Sequence, residues 1–242
     1  MTYCVAMLLN EGLVAMADTR TNAGVDQIAT FPKMHVWEKA GDRTIILMTS
    51  GNLAISQTVV SLLQEGVGAD KRTLDTTPSM FDAARLVGEA VREVFRVDGD
   101  AMQAQGNDFS ASFILAGQLK DRRLRLFQIY AAGNFIEASA ETPYFQIGET
   151  KYGKPIIDRV VRPDTSLTEA AKCALISMDS TLRSNISVGL PIDLAIYRRD
   201  TFKLALRKRI GGDDPYFNDI RRRWSEGLRA VFLEIPDPDW KV

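Results

Sequence analysis

The chain has 242 residues, 45% hydrophobic and 25% charged, with a formal net charge of −1. This excludes a disordered chain, a collagen and a disulfide scaffold, and a core of this size needs no metal or disulfide staple. The balanced charge gives no general attraction to nucleic acid or an anionic membrane, so neither is expected as a partner.

One histidine, His35, excludes a His-rich metal site, and a Ser-His-Asp triad would have to use it. No metal and no cofactor are expected. Cys4 and Cys173 lie far apart in sequence and read as reduced, buried thiols of a cytoplasmic protein. No apolar run approaches the length of a membrane span. Met1 to Ala17 is rather apolar and ends in Ala15-Met16-Ala17, which mimics a signal-peptide cleavage site. No Lys or Arg precedes the apolar stretch, however, and Asn10-Glu11-Gly12 interrupts it, so secretion is not expected.

In chain order, Tyr3 to Leu9 and Leu13 to Ala17 read as two strands joined by Asn10-Glu11-Gly12. Lys33 to Trp37 and Arg43 to Thr49 read as a second pair, turning at Ala40-Gly41-Asp42. After Ser50-Gly51 the apolar positions from Leu53 to Leu63 fit a helix. Thr77 as N-cap and Pro78 at the first position open another, with Phe81, Ala84, Val87, Val91, Val94 and Phe95 at helical period. Ala111 to Ala116, Leu124 to Tyr130, Phe135 to Ala138 and Tyr144 to Ile147 read as strands. Thr168 to Leu182 is a helix capped by Thr168, Ile192 to Tyr197 a strand, and Asn218 to Val231 a last amphipathic helix. Strands in runs argue an α+β fold with mostly antiparallel sheets. One layered domain over 1–242 is the economical reading, with 216–242 as a C-terminal helical extension.

The chemistry-bearing residues cluster early. Once the initiator Met is removed, Thr2 becomes a terminal threonine whose hydroxyl attacks while its own α-amine takes the proton. Such a site needs a cation to favour the alkoxide and keep the amine neutral, and a buried Lys needs a carboxylate. Lys33 and Asp18 supply both: the tight hairpin returns Asp18 to the level of Thr2, and Lys33 begins the next strand. Ser50-Gly51 ends the fourth strand, where a glycine lets a backbone N–H reach a developing oxyanion. A plain structural ion pair of Asp18 and Lys33 is the lesser alternative. Gly211-Gly212-Asp213-Asp214 reads as a turn, not a metal loop. Arg207-Lys208-Arg209 and Arg221-Arg222-Arg223 read as a solvated helix face or a subunit contact.

Met1-Thr2 before a strand, Ala17-Asp18-Thr19-Arg20, Lys33 and Thr49-Ser50-Gly51 resemble the proteasome β-subunit family of N-terminal nucleophile hydrolases. Ile147-Gly148-Glu149-Thr150-Lys151-Tyr152-Gly153-Lys154-Pro155 resembles its bacterial Anbu, or ancestral β-subunit, branch. The resemblance implies a four-layer αββα sandwich of two antiparallel sheets flanked by helices. It also implies a self-assembling threonine peptidase acting on peptide or other amide bonds, as a ring or open spiral of identical subunits. A proteasome-like scaffold or binding ring with weak or no activity is the alternative. The same resemblance makes Thr2 the nucleophile, Asp18 and Lys33 its ion pair and Gly51 the oxyanion donor. Arg20 and Ser50 are supporting residues. Glu149 stands where the family has a serine near the amine, and there it would favour the ammonium; the alternative is that it points to solvent or to a neighbouring subunit. The family's later Asp and Ser fall near Asp179 and Ser184. Thr21, Phe31, His35, Thr49 and Leu53 would line the substrate pocket, His35 being equally readable as a half-exposed strand residue.

Overall fold

The computed structural model describes residues 2–23, 27–106 and 109–240. The removal of Met1 expected from the sequence falls outside the described residues.

β1 (Tyr3–Leu8) and β2 (Gly12–Asp18) form the first hairpin, with Cys4 opposite Ala17 and Leu8 opposite Leu13. A short polar hairpin follows, β3 (Arg20–Ala23) with β4 (Gln27–Thr30), which carries almost no apolar alternation and so gives no strand signal in the sequence. β5 (Met34–Lys39) and β6 (Arg43–Gly51) make the second long hairpin. α1 (Leu53–Glu65) and α2 (Met80–Ala104) come next. Ser79, not Thr77, caps α2, its side chain accepting the Asp82 N–H, while the Thr77 hydroxyl donates to the Leu74 carbonyl.

β7 (Ala111–Leu119), β8 (Arg125–Ile129), β9 (Phe135–Glu137) and β10 (Tyr144–Gly148) complete the middle of the chain. α3 (Lys154–Val160) is too short to show a helical period in sequence. α4 (Leu167–Ser184) is capped two residues before the expected Thr168, because Ser166 and Glu169 form a reciprocal capping box. β11 (Ile192–Arg198) pairs with β12 (Leu204–Ile210). The Arg207-Lys208-Arg209 cluster therefore lies on a strand rather than a helix; β12 is a sheet edge, where charges are tolerated and discourage further pairing. Asp214 caps α5 (Pro215–Glu234), its carboxylate accepting the Phe217 N–H, so the preceding glycines are a turn as expected.

All strand pairings are antiparallel, and the two main sheets run β10-β1-β2-β11-β12 and β5-β6-β7-β8-β9. They stack face to face. α1 and α2 cover the second sheet, and α3, α4 and α5 cover the first, giving the αββα sandwich. Strand period explains the layers. Val5 and Met7 of β1 point outward to Ile157, Leu175 and Met178 on the helices, while Cys4 and Ala6 point inward to the other sheet. A strand buried on both faces reads as one continuous apolar run, which is why β1 looked almost like a signal segment. Cys4 and Cys173 are free and sit in different layers. Burial raises both thiols, Cys173 to about 11, so neither is a ready nucleophile.

Candidate active site

Thr2 lies immediately before β1, at the open end of the sandwich. Two contacts fix its backbone. Its carbonyl accepts the Glu149 N–H at 2.6 Å, and Tyr3 pairs with Gly148 of β10. Gly148 has φ +84, and a Cβ there would stand 2.0 Å from the Thr2 carbonyl oxygen, so only glycine lets β10 close on the nucleophile's residue. Tyr3 locks the next position from behind: its hydroxyl is bonded to Ser177 Oγ and accepts from Gln146 Nε2 at 2.8 Å. The Thr2 hydroxyl has no partner among the described residues.

Asp18 ends β2 directly across from Tyr3, whose N–H donates to Oδ1 at 2.9 Å. Lys33 Nζ donates to the same oxygen at 2.7 Å, and the Gly189 N–H to Oδ2 at 3.2 Å. Burial pushes the Asp18 carboxyl above the ordinary carboxylate range, and the Lys33 ammonium and these N–H groups oppose that rise. Lys33 Nζ donates also to the Arg20 carbonyl at 2.6 Å, so two of its three donors are occupied. The third has no partner among the described residues, and the cleft that Lys33 lines is the one that Thr2 lines.

Gly51 is placed by strand alternation. The Asn52 N–H donates to the Ser110 carbonyl at 2.8 Å, so this pair is hydrogen-bonded across β6 and β7, and the Gly51–Ala111 pair beside it is of the non-bonded kind. The Gly51 N–H therefore points to the β5 side, as does that of Thr49, which donates to the Lys33 carbonyl. β5 begins only at Met34, so nothing of the sheet lies opposite Gly51, and its N–H opens into the cleft.

This cleft encloses about 260 Å³ and is lined by Thr2, Arg20, Thr21, Asn22, Lys33, Thr49, Ser50, Gly51, Leu53, Ser56, Ser110 and Gly148. Of the sequence-derived pocket, Thr21, Thr49 and Leu53 are in its wall. Phe31 and His35 are not. His35 lies on β5 with its ring 6.5 Å from that of Trp37 and is influenced by Arg207 and Asp193. Burial, reinforced by Arg207, lowers its pKa. Below about 6.5 the unfolded chain then binds more protons than the folded one, so stability falls as pH drops through that value. In urea titrations between pH 7 and 5, His35→Gln is expected to flatten this slope; an unchanged slope would assign it to other groups.

Asp179 and Ser184 are not brought to the cleft. Asp179 is buried on α4, where its carboxylate accepts from Arg221 Nε at 2.8 Å and Arg183 Nε at 3.3 Å, fastening α5 to α4. Ser184 is exposed at the end of α4. The loop just after it reaches the site instead. Asn185 Nδ2 donates to Glu149 at 3.0 Å, Asn185 Oδ1 accepts the Ser187 N–H, and Gly189 holds Asp18. Arg20 supports this loop by donating to the Ile186 carbonyl at 2.9 Å. Glu149 is buried rather than turned to solvent, its other oxygen accepting the Lys151 N–H at 3.0 Å. Asn22, Ser56, Ser110 and the 185–189 loop were not singled out from sequence. The nearest signal was Ile192, whose strand pairs with Asp18 and draws the preceding residues over it. Among the described residues there is no cluster of His, Cys, Asp or Glu able to hold a metal, and no helix is long and apolar enough to cross a membrane.

Comparison with known proteins agrees with this geometry. The proteasome subunit family model matches residues 2–197, and the chain belongs to the proteasome subunit family, with its N-terminal-nucleophile-type fold. Over its full length it is similar to Anbu proteins. An Anbu Gly-1 mutant from Hyphomicrobium sp. strain MC1 is 54% identical with TM-score 0.91, covering 99% of this chain and 100% of that one. Anbu, the ancestral beta-subunit, from Yersinia bercovieri is 51% identical with TM-score 0.92 over 99% and 100%. A helical assembly of the Anbu complex from Pseudomonas aeruginosa is 47% identical with TM-score 0.91 over 98% of each chain. Among curated proteins there is no significant match.

Proposed function

We propose that this chain is a threonine-type peptidase or amidohydrolase, with Thr2 as nucleophile once Met1 is removed. The observation that carries this reading is the convergence on one cleft of three groups that have no partner among the described residues: the Thr2 hydroxyl, one N–H of Lys33 and the N–H of Gly51. The Lys33 charge favours the alkoxide of Thr2, and Asp18 keeps that charge in a buried position. Thr2 Oγ1 attacks the carbonyl carbon of the scissile amide while the α-amine takes the hydroxyl proton. The oxyanion accepts from Gly51. Collapse breaks the C–N bond, the amine leaving group takes the proton from the ammonium, and an acyl ester remains on Thr2. Water, deprotonated by the same amine, hydrolyses the ester. The chain assembles with copies of itself, a reading supported by the helical assembly of the Pseudomonas relative, and its two free, buried cysteines fit a reducing cytoplasm.

The test is hydrolysis of a mixed peptide and arylamide pool by Met1-free protein. Thr2→Ala is expected to lower the rate by on the order of 10⁴-fold or more, since a nucleophile's loss is not compensated by the rest of the site. Hydrolysis that survives the substitution would place the chemistry elsewhere, and no hydrolysis of any substrate by the unsubstituted protein would favour the scaffold.

A further inference from the structure

Two carboxylates are buried beside Thr2, and among the described residues only one of them has a cation. Asp18 holds Lys33. Glu149 is 7% exposed, and its two side-chain oxygens accept only from neutral groups, the Lys151 N–H and Asn185 Nδ2, each at 3.0 Å. It forms no ion pair among the described residues. The cations of the elements around it are engaged elsewhere: Lys33 with Asp18, Arg20 with the Ile186 carbonyl, Lys154 with Asp158 and Arg183 with Asp179. The Lys151 side chain is exposed to water. A buried carboxylate left without a cation is strongly destabilising, and this site has one cation still to gain. Removal of Met1 turns the Thr2 nitrogen from a neutral amide into an amine that takes up a proton. The Glu149 N–H donates to the Thr2 carbonyl at 2.6 Å. A residue's nitrogen lies roughly 3 Å from its own carbonyl oxygen, so the new amine forms within reach of the Glu149 side chain.

We propose that Glu149 is the positioning residue of the Thr2 α-amine, its carboxylate accepting from the amine while Asn185 holds the carboxylate in place. The proposal rests on the threonine-hydrolase reading above and assigns the group that orients its base. Asn185 is itself fixed, because its Oδ1 accepts the Ser187 N–H at 2.9 Å and this leaves Nδ2 for Glu149. The same loop holds Asp18 through the Gly189 N–H, so one segment sets both carboxylates. An amine N–H given to Glu149 stops rotation about the N–Cα bond and leaves the nitrogen lone pair for the Thr2 hydroxyl proton. As the bond from Oγ1 to the substrate carbon forms, that proton passes from Oγ1 to the nitrogen. The neutral amine becomes an ammonium, and the unchanged carboxylate stabilises it. The same charge favours the ammonium before substrate binds and raises the pKa of the amine. Lys33 opposes that rise, and Asp18, already paired with Lys33, adds little to it.

The amine can be titrated without any substrate. In Met1-free protein, trace acetylation of the α-amine by acetic anhydride, read by mass spectrometry from pH 5 to 10, gives its pKa. Glu149→Gln is expected to lower that pKa by about one unit or more. Glu149→Asp keeps the charge but withdraws it by one methylene, and is expected to fall between the two. Far-UV circular dichroism checks the fold, and if Glu149→Gln does not fold, Glu149→Asp against wild type carries the same comparison. In hydrolysis, the acid limb of the kcat/KM profile of Glu149→Gln is expected to move to lower pH by the same amount, with a lower plateau in kcat. One amine pKa shared by the folded proteins would overturn the proposal, however well they hydrolyse. A graded amine pKa in a protein that hydrolyses nothing would uphold the contact with Glu149 and overturn only the peptidase reading.

Discussion

Lys33→Ala is expected to abolish the proposed hydrolysis and to lower the free energy of unfolding by about 3–5 kcal/mol, the range for breaking one side of a buried ion pair. Both effects have one origin. The Lys33 side chain is 7% exposed and that of Asp18 is 0% exposed, so water cannot replace the lost ammonium at the carboxylate. The Tyr3 and Gly189 N–H groups remain, but neither carries a full charge. The stability loss is expected to depend on pH in a definite direction. In the variant the folded state holds the Asp18 proton more tightly than the unfolded chain, whose carboxyl titrates near 3.9. A folded-state rise adds stability below the unfolded value and takes it away as pH climbs through the folded value. Urea midpoints of the variant should therefore fall from pH 4 to pH 8 relative to wild type. A midpoint difference constant across that range would contradict the buried-pair account, and near-normal hydrolysis would remove Lys33 from the mechanism.

Gly51→Ala is expected to lower kcat/KM by on the order of 10²–10³-fold, the cost of losing one oxyanion donor. At Gly51 φ is +107, and a Cβ would stand 2.2 Å from the Ser110 carbonyl oxygen. Neither side can yield without opening the β6–β7 ladder at its last rung, and any such shift turns the Gly51 N–H away from the cleft. Because the donor acts on charge that develops during reaction, the loss should fall on kcat more than on KM. An unchanged kcat in a folded variant would mean that another group binds the oxyanion.

The parts of this structure that were readable from sequence are those set by local pattern. The Asn10-Glu11-Gly12 hairpin is tight enough that counting residues returns Asp18 to Thr2, and the register of Cys4 with Ala17 is what that count implies. Lys33 was placed by the same logic, one hairpin further on. The β3–β4 hairpin lies between them without upsetting the placement, because it forms its own small sheet. What was not readable depends on contacts across long separations. Asp179 looked available in a helix, but its carboxylate is taken by Arg221, 42 residues away, and no local pattern shows that helix α5 closes over α4 there. Gly189 reaches Asp18 across 171 residues because β11 pairs with β2, a register that no turn dictates. His35 shows a different failure. A spacing of two would set Lys33 and His35 on one side of a strand, but Lys33 precedes β5 and is held by Asp18, whereas His35 lies on the edge strand proper.

The central claim, that Thr2 is a free terminal nucleophile, is tested most directly by intact-mass spectrometry of protein from its native source before and after exposure to a peptidyl β-lactone. The account predicts a chain lacking Met1 that gains one acyl group, mapped to Thr2, and that loses this labelling in the Lys33→Ala variant. Retention of Met1, or no adduct at Thr2 at any pH, would contradict it.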